Sequence, residues 1–147
     1  MKLVLQRVKE ASVSVDGSRV GSIGAGLVVF LCVEKGDDLS ISDHYAKKVT
    51  DLRIFGDEEG KMNRSLREVR GEILLIPQFT LSANAEKGRR PSFDKAAPPA
   101  LAEELYRYFA SKVREQGISV VTGVFQAYMQ IALVNDGPVT ILLGKNH

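Results

Sequence analysis

The 147-residue sequence holds one cysteine, two histidines and no tryptophan, and each scarcity removes a class of chemistry. One thiol cannot close a disulfide within the chain, and with so few Cys and His no zinc ligand set is available. That thiol, Cys32, lies inside the apolar run LVVFLCV. A reactive thiolate needs polar or cationic neighbours, so Cys32 reads as a small core residue. His44 falls on an expected helix and His147 at the C-terminal end, neither beside a candidate nucleophile. A Ser-His-Asp or Cys-His arrangement is therefore not expected. HExxH, GxxxxGK[ST] and a GxGxxG following a strand are absent too.

Long hydrophobic runs are also missing. Nothing approaches the roughly 20 apolar residues that cross a bilayer. The opening MKLVLQRVKE alternates apolar and polar residues and carries charge early, which reads as a strand and not as a signal peptide. A cytoplasmic, membrane-independent, free-standing protein is the expectation. Excess charge is lacking as well: 20 Lys and Arg against 18 Asp and Glu give a net charge of +2, so distribution matters more than total. The densest cationic segment is EKGRRPS. Lys87, Arg89 and Arg90 there form either a solvated surface loop or a contact to an RNA backbone.

What is present suits a single domain spanning residues 1–147, with 44% hydrophobic and 26% charged residues and no internal repeat or linker. Strands are expected at Lys2 to Lys9 and Ser12 to Val15, with Asp16-Gly17 as a hairpin turn. Gly24 and Gly26 precede a long apolar strand, Leu27 to Val33. A helix follows, capped by Ser40 or Ser42, with Ile41, Tyr45, Val49 and Leu52 on one stripe. FGDEEGKMN reads as a loop and Glu72 to Leu81 as a strand. Pro98 and Pro99 open a second helix that buries Leu101, Leu105, Tyr108, Phe109 and Val113 and ends at Gly117. Strands Ser119 to Thr122, Val124 to Val134 and Val139 to Leu143 complete the chain. The whole reads as mixed α/β, mostly hairpin-linked, with two helices packed on a sheet that doubles back on itself.

Four features bear on chemistry. In GEILLIPQFTLS, alternation places Gln78, Thr80 and Ser82 on one face and Phe79 and Leu81 on the other. Pro77 marks an edge or a bulge there, a device that re-aims side chains. These polar residues either face water or offer a hydroxyl, an amide and free main-chain N–H groups. Asn135-Asp136-Gly137-Pro138, between two apolar strands, reads locally as a reversing turn. Arg7 extends the apolar row of Leu3 and Leu5, so it lies at the strand's solvent end or clamps carbonyls of another loop.

The fragments QRV at Gln6 to Val8, ASVSVDG, IGAGL, RIFGDEEGKMN, QFTL at Gln78 to Leu81, GRRPSF and NDGPVT at Asn135 to Thr140, in this order and spacing, resemble the D-aminoacyl-tRNA deacylase family over essentially the whole chain. The resemblance implies a homodimer of three-layer α/β/β subunits with no cofactor and with active sites at the dimer interface. It implies hydrolysis of the ester joining a D-amino acid, or glycine, to the terminal ribose of tRNA. QFTL would line the pocket, giving Gln78, Phe79 and Thr80 the catalytic roles. Gly137-Pro138 would be cis, enter the partner subunit's site, bind the substrate's amino group through carbonyls and exclude an L side chain. Arg7 would brace that loop, and Phe125 and Met129 would lie beside the terminal adenosine. The family usually has Ser before QFTL, where this chain has Pro77, so any role for that serine's hydroxyl or N–H is lost here.

Two mechanisms fit that resemblance. In one, N–H groups around Phe79 and Thr80 hold the oxyanion, a neighbouring ribose hydroxyl assists water, Thr80 positions and Gln78 shapes the pocket. In the other, Thr80 is the nucleophile, although no adjacent base is visible. An inactive RNA-binding module, or an editing domain normally fused to a synthetase, is the alternative class.

Overall fold

Residues 1–144 are described by a computed structural model; His147 lies outside them. The alternation that begins at Leu3 does not stop at Lys9. One strand, β1 (Lys2–Val15), runs through both segments expected to be separate. Leu3 and Leu5 are buried, then Val8, then Ala11 and Val13, so the period-two phase slips twice. Register shifts opposite the last strand, between Gln6 and Val8 and between Val8 and Glu10, absorb the slips. Such irregularities bend a strand, and here the bend lets β1 serve two layers.

Asp16 and Gly17 both have positive φ, 50° and 79°, the conformation of a tight hairpin turn. The turn leads into β2 (Ser18–Ile23) and then β3 (Gly26–Cys32), both antiparallel to β1. Helix α1 (Leu39–Asp51) is capped by neither Ser40 nor Ser42. Asp38 takes that place, its Oδ1 accepting the Ile41 N–H at 2.9 Å. Ser42 is buried inside the helix, 3.5 Å from the Leu105 carbonyl to which it donates. FGDEEGKMN is not all loop: β4 (Phe55–Gly56) and β5 (Met62–Arg64) close a small hairpin across it. Asp57 accepts the N–H groups of Glu59 and Lys61 within that hairpin.

Strand β6 (Glu72–Pro77) lies parallel to β3 and, on its other side, to β7 (Val120–Thr122). A parallel partner requires a crossover. The chain crosses through α1 before β6 and through α2 (Pro99–Glu115) before β7, so hairpins link less of the chain than expected. In α2 it is Tyr106, 4% exposed, that enters the core. Tyr108 instead turns outward to donate to Asp43 at 2.8 Å. The last strand, β8 (Gln130–Gly144), pairs with β1 along most of its length.

β3 and β6 are apolar on both faces, as strands between two layers must be. Leu27, Val29, Leu31, Ile73 and Leu75 face the helices, packing with Val49, Leu105, Phe109 and Val113. Val28, Leu74 and Ile76 face Val8, Ala11, Val13 and Ile23 of the folded-over β1–β2 layer. The result is a three-layer α/β/β arrangement with a mostly antiparallel sheet doubling back on itself. Among the described residues no helix is long and apolar enough to cross a membrane.

Candidate active site

A cavity of about 690 Å³ opens where β6 ends, walled by the segment after it, the start of α2 and residues 125–129. The strand does not continue to Leu81. Gln78 makes a last bond to β3, its N–H donating to the Leu31 carbonyl at 2.8 Å. The chain then coils into a 3-10 turn, Phe79–Ser82. The expected shared face of Gln78, Thr80 and Ser82 therefore does not exist. Thr80 is exposed, Gln78 half-buried and Ser82 buried. Proline lacks the N–H that a continuing ladder would use, and Pro77 is where the strand gives way to the turn.

Buried contacts fix this wall. Ser82 Oγ and Cys32 Sγ share a hydrogen bond of 2.9 Å, and the thiol also reaches the Phe79 carbonyl at 3.5 Å. Burial pushes the Cys32 thiol up, more than the Ser82 contact pulls it down. It is therefore neutral at physiological pH and a poor nucleophile. Leu81 N–H donates to the Gln78 carbonyl and Ala83 N–H to that of Thr80. The N–H groups of Phe79 and Thr80 precede the first bond of the turn. The Gln78 side-chain amide donates to the Thr80 hydroxyl. The Phe79 ring, 59% exposed, meets Phe93 edge-on at 5.1 Å.

The opposite wall is not the strand expected from Val124. Ala127 N–H donates to the Val124 carbonyl, closing a turn with Gln126 at φ 65°, and β8 starts only at Gln130. Phe125 tilts against Tyr106 at 6.0 Å, and the Tyr106 hydroxyl donates to the Leu75 carbonyl at 2.6 Å. Burial raises that phenol far above its ordinary range. Met129 reaches the β6 end because Gly123 has no side chain. A Cβ there would stand 2.8 Å from Met129 Sδ and 3.2 Å from Ile76 Cδ1. Sequence reasoning missed Tyr106, Gln126, Tyr128 and Cys32 as lining residues. Gly123, between apolar segments and two residues before Phe125, was the available signal.

Gln78, Phe79, Thr80, Phe125 and Met129 thus share one cavity. Among its described lining residues are two glutamines, Thr80, Cys32 and two tyrosines, but no Asp, Glu, His, Lys or Arg. His44 lies away from it on α1, edge-on to Tyr45.

Arg7, Gly137 and Pro138 do not line that cavity. They form a second assembly. The segment from Asn135 to Pro138 does not reverse the chain: Val8 pairs with Asn135 and Gln6 with Thr140 in one continuous ladder. Asp136, Gly137, Pro138 and Val139 consequently bulge out opposite the single residue Arg7. The Gly137-Pro138 peptide is cis and both residues are exposed. Arg7 Nε donates to the Asp136 carbonyl at 2.8 Å and Nη1 to the Ile54 carbonyl at 2.7 Å, so the arginine is a clamp and not a solvent-end residue. Asn135 closes the base: its Oδ1 accepts the Val139 N–H at 2.8 Å, while Nδ2 donates to the Thr140 hydroxyl at 3.2 Å. Lys87, Arg89 and Arg90 occupy an exposed loop whose ends, Asn84 and Ser92, exchange two main-chain hydrogen bonds.

Fold and site together define a small α/β/β protein that would meet a ligand with main-chain, amide and hydroxyl groups on an apolar floor. The family model described as D-Tyr-tRNA(Tyr) deacylase matches residues 4–144. A protein of Geotalea daltonii named D-aminoacyl-tRNA deacylase is 57% identical over 97% of this chain and 95% of its own. One of the same name from Pelobacter propionicus is 55% identical over 99% and 100%. Among solved structures, a c-Myc DNA Unwinding Element Binding Protein superposes with a TM-score of 0.93 at 39% identity, covering 100% of both chains. A probable eukaryotic D-amino acid tRNA deacylase shares the fold, with a TM-score of 0.82 at 20% identity over 97% of both chains. The chain belongs to the D-aminoacyl-tRNA deacylase family.

Proposed function

We propose that this chain hydrolyses the ester linking a D-amino acid to the terminal ribose of tRNA, acting in the cytoplasm as a chiral proofreading enzyme. The observation that carries the reading is the cavity itself. At about 690 Å³ it has room for an aminoacylated nucleoside, and its lining holds no acid–base pair. An aminoacyl ester is activated enough to need little more than water, positioning and oxyanion stabilisation.

Water attacks the ester carbonyl, and the negative charge of the tetrahedral intermediate falls on the carbonyl oxygen. The N–H groups of Phe79 and Thr80 take up that charge, each such donor contributing roughly 3 kcal/mol, about a hundredfold in rate. The acyl C–O bond then breaks, the ribose oxygen leaves with a proton, and the free amino acid and tRNA separate. The neighbouring ribose hydroxyl orients the attacking water. Thr80 positions and does not attack: its hydroxyl is held by the Gln78 amide, and an amide is not a base that could activate it.

Two copies assemble the complete site. The exposed Gly137-Pro138 bulge of one subunit enters the cavity of its partner, where carbonyl oxygens capture the substrate ammonium and leave no space for an L side chain. Glycine, lacking a side chain, is accepted. Phe125 and Met129 flank the terminal adenosine, and Lys87, Arg89 and Arg90 approach the RNA backbone.

The deciding experiment incubates the purified protein with D-Tyr-tRNA and L-Tyr-tRNA and follows released amino acid. Rapid loss of the D ester with the L ester intact is the expected result. RNA binding without turnover of either ester overturns the reading. Slow cleavage of an ester on a 2′-deoxyadenosine end is expected from ribose assistance, and an unchanged rate counts against it.

A further inference from the structure

Two clefts adjoin the cavity along α2, and they differ in charge. One, of about 410 Å³, runs along the helix start and includes Glu103, Glu104, Arg107 and Gln126. The other, of about 220 Å³, lies between α2 and the Thr122–Gly123 segment, and it shares Tyr106 and Phe125 with the cavity. Its remaining lining comprises Arg107, Ala110, Arg114, Thr122 and Gly123, with no carboxylate among the described residues. Both guanidinium groups also act on the Tyr106 hydroxyl, lowering its affinity for the proton against the larger effect of burial.

We propose that this second cleft binds the phosphodiester immediately 5′ of the terminal nucleoside, with Arg107 and Arg114 as its cationic walls. The inference rests on the cavity being the seat of the aminoacylated nucleoside. The physical case is one of continuity and sign. A strand whose last nucleoside lies against Phe125 must lead its first phosphate out of the cavity. The cleft that shares Phe125 offers two guanidiniums and no carboxylate among its described residues, while the other sets Glu103 and Glu104 against Arg107 alone. Arg114 is already oriented, its Nη2 donating to the Val120 carbonyl at 3.0 Å. That bond uses one N–H of a group with several more to offer. Arg107 pairs with Glu103 at 3.0 Å across one turn, with its side chain 73% exposed. An exposed pair of this kind is readily exchanged for a phosphate, which the planar guanidinium fork can grip through two N–H donors.

The site predicts salt dependence separable from chemistry. Binding of uncharged tRNA is measured against KCl for the wild-type protein, Arg107→Gln and the Arg107→Gln/Arg114→Gln double variant. Each lost phosphate contact should lower the slope of log affinity against log salt by about 0.7 to 0.9. Both arginines face one phosphodiester, so for the double variant this amounts to a roughly threefold loss of affinity at 50 mM KCl that fades by 200 mM. Hydrolysis of D-tyrosyl-adenosine, which has no 5′ phosphate, should be unchanged, while kcat/KM on the full tRNA falls. Arg114→Lys, which keeps the charge, should retain most of the wild-type slope. An unchanged slope in Arg107→Gln and the double variant overturns the proposal, as does an equal loss on the tRNA and nucleoside esters. If wild-type protein cleaves neither ester, the deacylase reading fails, while the slope with uncharged tRNA still tests the cleft.

Discussion

The cavity wall at residues 78–82 and the bulge at residues 136–139 are both departures from a strand, yet they are secured in opposite ways. The wall is anchored from beneath by Ser82 and Cys32, 2% and 1% exposed, and its main chain follows from contacts that solvent does not reach. Within its own subunit the bulge is exposed, and its shape depends on a few polar pins: Arg7 on Asp136 and Asn135 on Val139. A wall fixed by buried groups should tolerate loss of an exposed side chain, because its N–H groups stay where they are. A bulge fixed by pins should fail when a pin or its one permissive residue is changed.

The largest effect is expected from Gly137→Ala. Gly137 has φ +142°, and a Cβ would lie 2.8 Å from Val139 Cγ2 and 3.1 Å from Arg7 Nη2. The bulge must move, and displacement of a positioning group by about 1 Å costs on the order of a hundredfold in rate. D-Tyr-tRNA deacylation should fall by that factor with the circular dichroism spectrum retained. Near-normal turnover by a folded variant would show that the bulge does not depend on Gly137.

Arg7→Ala comes next. It strands the carbonyls of half-buried Asp136 and buried Ile54, each of which now accepts a charged donor, so about 2 kcal/mol of stability should be lost. Discrimination against L-Tyr-tRNA should weaken as the bulge loosens. A variant with unchanged melting and unchanged D/L ratio would show that Arg7 is not a pin.

Local chemistry was readable in the sequence wherever a residue's own backbone preference decides the outcome. Asp16-Gly17 made its hairpin, and Pro98-Pro99 opened α2 as the missing N–H of proline allows. Legibility ended where distant partners decide. Asn135 to Pro138 has the composition of a reversing turn, but β1 pairs with the chain on both sides of it, at Val8 and at Gln6, and so forces a bulge. QFTLS alternates like a strand, yet Ser82 is drawn inward by a thiol 50 residues away in sequence. Tyr106 and Tyr108 are chemically identical, and distant partners separate them: the Leu75 carbonyl receives the first in the core and Asp43 the second outside it. Family resemblance points to the cavity residues, while the geometry that unites them depends on Gly123 and Tyr106, which alternation does not mark.

On the wall, Thr80→Val removes the hydroxyl while preserving shape and main-chain donors. If Thr80 only positions, turnover should fall about tenfold or less, within the range of one neutral hydrogen bond. A loss of several powers of ten would restore the nucleophile mechanism. This variant therefore separates the two mechanisms and also measures how far the wall stands without its exposed side chains.

The smallest effect concerns the anchor itself. Cys32→Ala leaves the buried Ser82 hydroxyl without its sulfur partner, a loss of about 1 to 2 kcal/mol in thermal or denaturant stability, with little change in kcat. The pH trend gives the sign. Because folding raises the thiol above its ordinary range, the unfolded chain ionises first, and folded stability declines as pH climbs through the ordinary thiol range toward the folded value. Below that range the thiol is protonated in both states and the term is flat. The wild-type melting temperature should therefore drop more steeply than that of Cys32→Ala on the alkaline side, and the two curves should converge. Parallel curves would mean that the thiol does not sense burial, and the wall would then owe its rigidity to the turn alone.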